Sequence, residues 1–155
     1  MKTQFPSTAV FSSSEIQIHY KRPLFSAMRY ISCAEDVNSI LVDFVDLTRI
    51  DLKEFFWVLL LNHANRLLGV SEISIGNLSG VAVNVKEIFQ LTLLTNASSV
   101  IVAHNHPSGN LKPSNRDREI TKKIKSGLSV LDVSLLDHLI ISSESFYSFV
   151  HEGLL

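Results

Sequence analysis

The sequence predicts an α/β domain, a mixed β-sheet flanked by helices. Two observations carry this: helix-start signals followed by apolar stripes at i, i+3, i+4, i+7 spacing, and, between them, short runs of large apolar and β-branched residues of strand length. Elements that alternate in this way pack helices against a sheet. Size is the third observation. The chain has 155 residues, close to the roughly 150 expected of one domain, and a chain of this length buries about 68–70% of its unfolded surface around one core.

Residues 1–30 read as an N-terminal arm, with Pro6 and Ser12-Ser13-Ser14 as breakers, and residues 31–155 as the domain. Within the arm, Glu15 to Tyr20 alternates, placing Ile16, Ile18 and Tyr20 on one face, and predicts a short strand ended by Lys21-Arg22-Pro23. Ser32 and Glu35 have capping-box spacing and open a helix whose stripe is Val37, Ile40, Leu41, Phe44 and Val45. Two strands follow, Glu54–Leu61 and Leu67–Ile75, joined by the turn Asn62-His63-Ala64-Asn65. The first is apolar on both faces, so it belongs inside the sheet.

Asn84 and Glu87 repeat the cap spacing before the stripe Val85, Ile88, Phe89, Leu93, and Thr95-Asn96 ends that helix. Ser99 to His106 reads as a strand closed by Pro107-Ser108-Gly109. Ser114 begins a third helix with Ile120, Ile124 and Leu128 inward and Gly127 near its end. Strands at about Val130–Ile141 and Phe146–Val150 close the chain.

Lys and Arg total 14 against 15 Asp and Glu, a net charge of −1, so no global field draws the chain to nucleic acid or an anionic membrane. Hydrophobic residues make up 46%, which excludes a largely disordered chain. The single cysteine, Cys33, allows no internal disulfide and has no nearby partner that would make it a nucleophile. The apolar run Phe55–Leu61 is too short to span a bilayer, and Met1–Ser14 lacks a signal-peptide core. The expectation is a soluble, cytoplasmic domain with no membrane partner.

The chemistry concentrates in His104-Asn105-His106-Pro107-Ser108, followed by Ser114 and Asp117. Histidines at i and i+2 on a strand point to one face, so both imidazoles can converge on one ion. Asp117 arrives one turn inside the next helix. Two nitrogens and a carboxylate leave a fourth tetrahedral position for water, as in catalytic rather than structural zinc sites. Each piece also has an ordinary explanation: His-x-His forms a polar rim at many strand ends, and Ser114 with Asp117 has the spacing of a helix cap. The joint pattern favours a metal.

His104-x-His106, seven residues, Ser114, two residues and Asp117 together resemble the JAMM (MPN+) metalloprotease motif at full spacing. The surrounding Ala103-His104-Asn105-His106-Pro107-Ser108-Gly109-Asn110, with Pro113-Ser114 and the Leu136–Ile141 stretch, is similar to the RadC family of bacterial JAMM-domain proteins, and the likeness runs from about Ala34 to the C-terminus. It implies a JAMM/MPN-type, cytidine-deaminase-like single domain. It further implies Zn2+ held by His104, His106 and Asp117, a glutamate as general base, and Ser114 steadying an oxyanion. The glutamate of that family opens the strand after the first helix, a position that Glu54 matches; Glu72, on the next strand, is the alternative. The implied reaction is attack of a metal-activated water on a peptide or isopeptide bond of a peptide or protein substrate. Longer RadC-like proteins carry a helix-hairpin-helix region that nothing here resembles.

Two other readings stay open. Lys112, Arg116, Arg118, Lys122, Lys123 and Lys125 gather around the third helix, as a solvated face or as a phosphate-facing patch, and the latter would suit a metal-dependent nuclease or DNA-processing accessory protein. A non-catalytic module that binds a partner is the other. His138, beside Asp137 on an apolar strand, reads as a satisfied core histidine or one standing behind a ligand; His19, His63 and His151 read as surface residues.

Overall fold

The computed structural model describes residues 16–75 and 82–155. After a short 3-10 turn at Phe25–Ala27, the elements are α1 (Ala34–Phe44), β1 (Phe55–Leu61), β2 (Leu67–Ile75), α2 (Val85–Leu94), β3 (Ser99–Asn105), α3 (Asn115–Val130), β4 (Ser134–Ile141) and β5 (Phe146–Ser148). The strands form one mixed sheet in the order β2-β1-β3-β4-β5, in which only β3 and β4 run parallel. This is the predicted α/β architecture. α3 supplies the crossover that the parallel pair requires.

Strand alternation sorts the core into two layers. Phe56, Val58, Leu60, Val100 and Val102 face α2 and α3, packing with Val85, Ile88, Ile124 and Leu128. Phe55, Trp57, Leu59, Leu61, Ile101 and Ala103 face α1, meeting Val37, Ile40 and Leu41. Helices on both sides explain why all seven residues of β1 are buried, as its two-faced apolar sequence predicts. Gly127 lies where α3 passes α2: a Cβ there would come within 2.1 Å of the Phe89 ring.

Several elements differ from expectation. No strand forms at residues 16–20, where Ile16 and Ile18 are 90% and 73% exposed; Glu15 lies outside the described residues. An alternating pattern yields a strand only where a partner edge is available. Cys33, not Ser32, is the N-cap of α1, and Asp36, not Glu35, closes the cap, accepting from Ser32 N at 2.8 Å and Cys33 N at 3.3 Å. In α2 the inward fourth position is Thr92 rather than Leu93, which is 62% exposed, because Thr92 returns its hydroxyl to Ile88 O. α3 continues past Gly127 to Val130, so β4 starts at Ser134 rather than Val130.

One irregularity positions the site. The register between β3 and β4 slips after Val100↔Leu135 to Ile101↔Asp137, leaving Leu136 as an extra residue. A one-residue slip exchanges the two faces of the strand beyond it. Leu135 packs on the α3 side and Leu139 and Ile141 on the α1 side. His138, opposite Val102, consequently points toward α3.

Candidate metal centre

The site forms where β3 ends against the first turn of α3. His104 is the last α3-facing residue of β3, buried above Phe56, whose ring lies nearly parallel at 6.1 Å. Just past the strand, His106 stays in line because its N–H donates to Ile141 O at 3.1 Å. The chain then doubles back. Gly109 takes φ +76°, a left-handed conformation that side chains disfavour, and donates to His106 O at 3.0 Å. This turn brings the Asn110 carbonyl to 2.5 Å from His106 Nδ1, which must donate to it.

Asp117 is buried on the inner side of α3 and lies in a capping box with Ser114. The Ser114 amide and hydroxyl both donate to Asp117 Oδ2 at 2.7 Å, and the Asp117 amide donates back to Ser114 Oγ at 3.2 Å. The cap and the metal motif are thus the same residues. The two Ser114 donors hold Oδ2 and leave Oδ1 turned toward His104 Nε2 at 3.3 Å.

Among the described residues, His104, His106 and Asp117 form a group whose donor atoms lie within 4.8 Å of one another. His104 Nε2 stands 3.0 Å from His106 Nε2, and His106 Nε2 stands 3.6 Å from Asp117 Oδ2. A tetrahedral ion with bonds of about 2.0–2.1 Å has donor–donor edges of about 3.3 Å. The spacings from His104 Nε2, 3.0 Å to His106 Nε2 and 3.3 Å to Asp117 Oδ1, lie close to that edge. The donor set therefore fits a metal ion, and the outer nitrogens of both rings are already engaged elsewhere, as metal-binding histidines require.

The electrostatics agree. Burial alone would push the Asp117 carboxyl up, but its contacts with His104 and His106, the charge of His104 and the Ser114 hydroxyl hold it well below the usual carboxylate range. Hydrogen bonding to Asp117 raises His106 above its ordinary 6.5 against the opposing effect of burial, with smaller contributions from the Asn110 carbonyl and the charge of Glu54. Burial drives His138 well below 6.5, and the charge of His104 pushes the same way.

Glu54 and Glu72 separate clearly. Glu54, half-buried ahead of β1, lines a cavity of about 280 Å³ together with Phe56, His104, Asp117, Ile120 and Lys123. Glu72 is exposed on β2 opposite Trp57, whose side chain belongs to the α1 face. The fold brings Glu54, but not Glu72, to the cavity that His104 and Asp117 line. Ser114 is exposed at the start of α3, with its hydroxyl proton directed at Asp117. Of the basic group, Arg116 and Lys123 line the cavity beside Glu119. His19, His63 and His151 are exposed, as expected.

One contributor escapes a sequence reading, and His138 takes the place behind a ligand that was one of its two expected readings. Asn105, the spacer between the histidines, faces α1 and is fully buried. Its Oδ1 accepts from Phe55 N at 2.7 Å, and its Nδ2 donates to Ile50 O at 2.6 Å and Lys53 O at 2.7 Å. Those bonds grip the backbone on both sides of Glu54. His138, placed by the bulge, holds His104 Nδ1 at 2.8 Å. Asn105 has no local sequence signal, since it acts across strands, and for His138 no local pattern distinguishes the two expected readings.

Comparison with known proteins gives a consistent result. The family model described as "RadC-like JAB domain" matches residues 31–154. A UPF0758 protein of Flavobacterium johnsoniae is 48% identical over 101 residues, 65% of this chain and 44% of that protein. Another, from Chlorobium phaeovibrioides, is 36% identical over 142 residues, 92% of this chain and 60% of that protein. One from Coxiella burnetii is 33% identical over 144 residues, 93% of this chain and 63% of that protein. The chain thus spans about half the length of the curated relatives it matches. No helix among the described residues is long and apolar enough to cross a membrane.

Proposed function

This chain belongs to the RadC-like JAB domain family, and on that premise we propose that it is a zinc-dependent hydrolase of peptide or isopeptide bonds. One observation carries the reading: two histidines and a buried carboxylate converge at metal-ligand spacing, and two of the three, His104 and Asp117, line a cavity that Glu54 also lines. His104, His106 and Asp117 would hold the ion. The chemistry supplied by a bound zinc is activation of a water and polarisation of the scissile carbonyl.

This chain's own residues do the rest. Glu54 accepts the proton of the attacking water and passes it to the leaving amine as the C–N bond breaks. Ser114 exchanges its bond to Asp117 Oδ2 for one to the developing oxyanion, an interaction whose loss typically costs about 10²–10³ in rate. Phe56, Val83 and Ile120 give the cavity an apolar lining beside its charged groups.

The test starts with elemental analysis of protein purified without chelator. About one zinc per chain is expected, lost in His106→Ala, the ligand substitution that disturbs least because His106 is only partly buried. Zinc-loaded protein is then offered peptide and isopeptide panels, and cleavage is read by mass spectrometry. Absence of zinc, even after it is supplied, would reduce Ser114 and Asp117 to a helix cap and give the lead to a non-catalytic module. A second reading rests on Arg116 and Lys123 at the same cavity: the activated water could instead attack a phosphodiester of nucleic acid, in which case binding to DNA would weaken steeply with salt.

Zinc affinity should depend on pH in a defined way. Binding needs His106 Nε2 free of a proton, and the Asp117 contact favours the protonated ring in the metal-free protein. Affinity should therefore fall by about tenfold per pH unit on acidification, with the decline setting in above pH 6.5 rather than below it. Competition titrations against a chelator of known pH dependence, from pH 5.5 to 8.5, would show this; an onset at or below 6.5 would contradict the assigned His106–Asp117 contact.

A further inference from the structure

We propose that Thr121 and His138 form a one-way hydrogen-bond relay that fixes which ring nitrogen of His104 is presented to the metal centre. Both are positioning residues, and the inference rests on the metal reading above. Thr121 Oγ1 lies 2.5 Å from the Asp117 main-chain oxygen. A carbonyl only accepts, so the hydroxyl proton is committed there and only lone pairs remain on Oγ1. His138 Nδ1, 2.6 Å from Oγ1, must then carry its proton toward Thr121. A neutral imidazole has one proton, so His138 Nε2 is an acceptor. His104 Nδ1, 2.8 Å away, must donate to it. The lone pair of His104 is left on Nε2, the atom that faces His106 and Asp117.

The need for the relay follows from the choice of partner. Metal-binding histidines usually give their outer N–H to a carboxylate or a carbonyl, groups that can only accept. His138 can accept or donate, so on its own it imposes no direction on His104. Thr121 removes that ambiguity from behind. The relay also closes on Asp117 itself, coupling two of the three ligands through α3. The surroundings hold the ring in place: His138 is fully buried, stacked on Phe149 at 4.6 Å and edge-on to Phe56 at 5.8 Å. A threonine hydroxyl returned to the i−4 carbonyl is common in helices; the second bond, to a histidine that backs a ligand, is what gives it a role here.

The test uses the full chain in two states. Long-range 1H–15N correlation of the metal-free protein should show the Nδ1–H form for both His104 and His138. Thr121→Val, close in shape but without the hydroxyl, should lower zinc affinity by about 10- to 100-fold in chelator competition. Thr121→Ser, which restores the hydroxyl, should recover most of that loss, an outcome that packing alone would not produce. His104 in the Nε2–H form, or equal zinc affinity in the Val and Ser variants, would overturn the relay while leaving the metal reading intact. A wild-type chain that takes no zinc would overturn the metal reading, and the tautomer spectrum would report that failure separately.

Discussion

Glu54→Gln is expected to lower hydrolysis at saturating substrate by about 10²–10⁴-fold, the usual contribution of a positioned general base, with zinc content unchanged at about one per chain. The substitution keeps the size and hydrogen-bonding reach of the side chain but removes its capacity to take a proton near neutral pH. Glu54 is not among the three donor atoms that converge, so the ion should remain. Its charge is nevertheless felt at His106, whose protonated form it favours. Removing that charge should therefore shift the acid limb of zinc binding slightly downward, an independent sign that the two groups face one another. Glu72→Gln provides the contrast, because Glu72 is exposed on the α1 face of the sheet, and its turnover should match wild type. If Glu72→Gln abolished hydrolysis while Glu54→Gln did not, the assignment of roles would be reversed. If neither altered a measured hydrolysis, a proton acceptor outside these two would have to be sought.

The comparison of these two glutamates shows how far the sequence could be read. Both are carboxylates beside large apolar residues at strand level, and no local pattern tells which side of a sheet a residue at the end of a strand will take. That depends on the pairing of β1 with β2 and on the slip between Phe56 and Trp57. The ligands were legible because their geometry is local: an i, i+2 pair at the end of β3, and a cap residue one turn into α3. β1, α2 and α3 were legible for the same reason, since their periodicities belong to single elements. The expected strand at residues 15–20 failed because a strand needs an edge as well as a pattern. His138 could not be placed from alternation either. Counting from Leu135 without the extra residue puts Asp137 on the α3 side, and only the slip at Leu136 turns His138 there instead. Asp137 then serves the strand end, accepting from Ser148 Oγ at 2.6 Å and from the amides of His138 and Val150.

Asn105→Ala should be the most destabilising single change near the site, by roughly 3–5 kcal/mol in urea unfolding. The side chain satisfies one backbone donor and two backbone acceptors of the 50–55 segment, at 2.6–2.7 Å each. A buried group left unpaired costs about 1–3 kcal/mol, and partial entry of water into the vacated space keeps the sum below the simple total. Asn105→Asp should not rescue it. One oxygen could still accept from Phe55 N, but the other would face the carbonyls of Ile50 and Lys53 with no proton to offer, in a place where a charge is poorly solvated. The same substitutions carry a functional consequence. Lys53 and Phe55 flank Glu54, so the clamp that Asn105 applies from the α1 side of the sheet holds the acid in register with His104 on the other side, where Phe56 pairs with it. At temperatures where Asn105→Ala remains folded, zinc content should be retained while turnover falls, since His104 and His106 keep their own supports. A variant within about 1 kcal/mol of wild type, with unaltered denaturant dependence, would show that the segment is held by the burial of Ile50 and Phe55 alone. Loss of zinc together with turnover would instead mean that Asn105 sets the direction of the two histidines that bracket it.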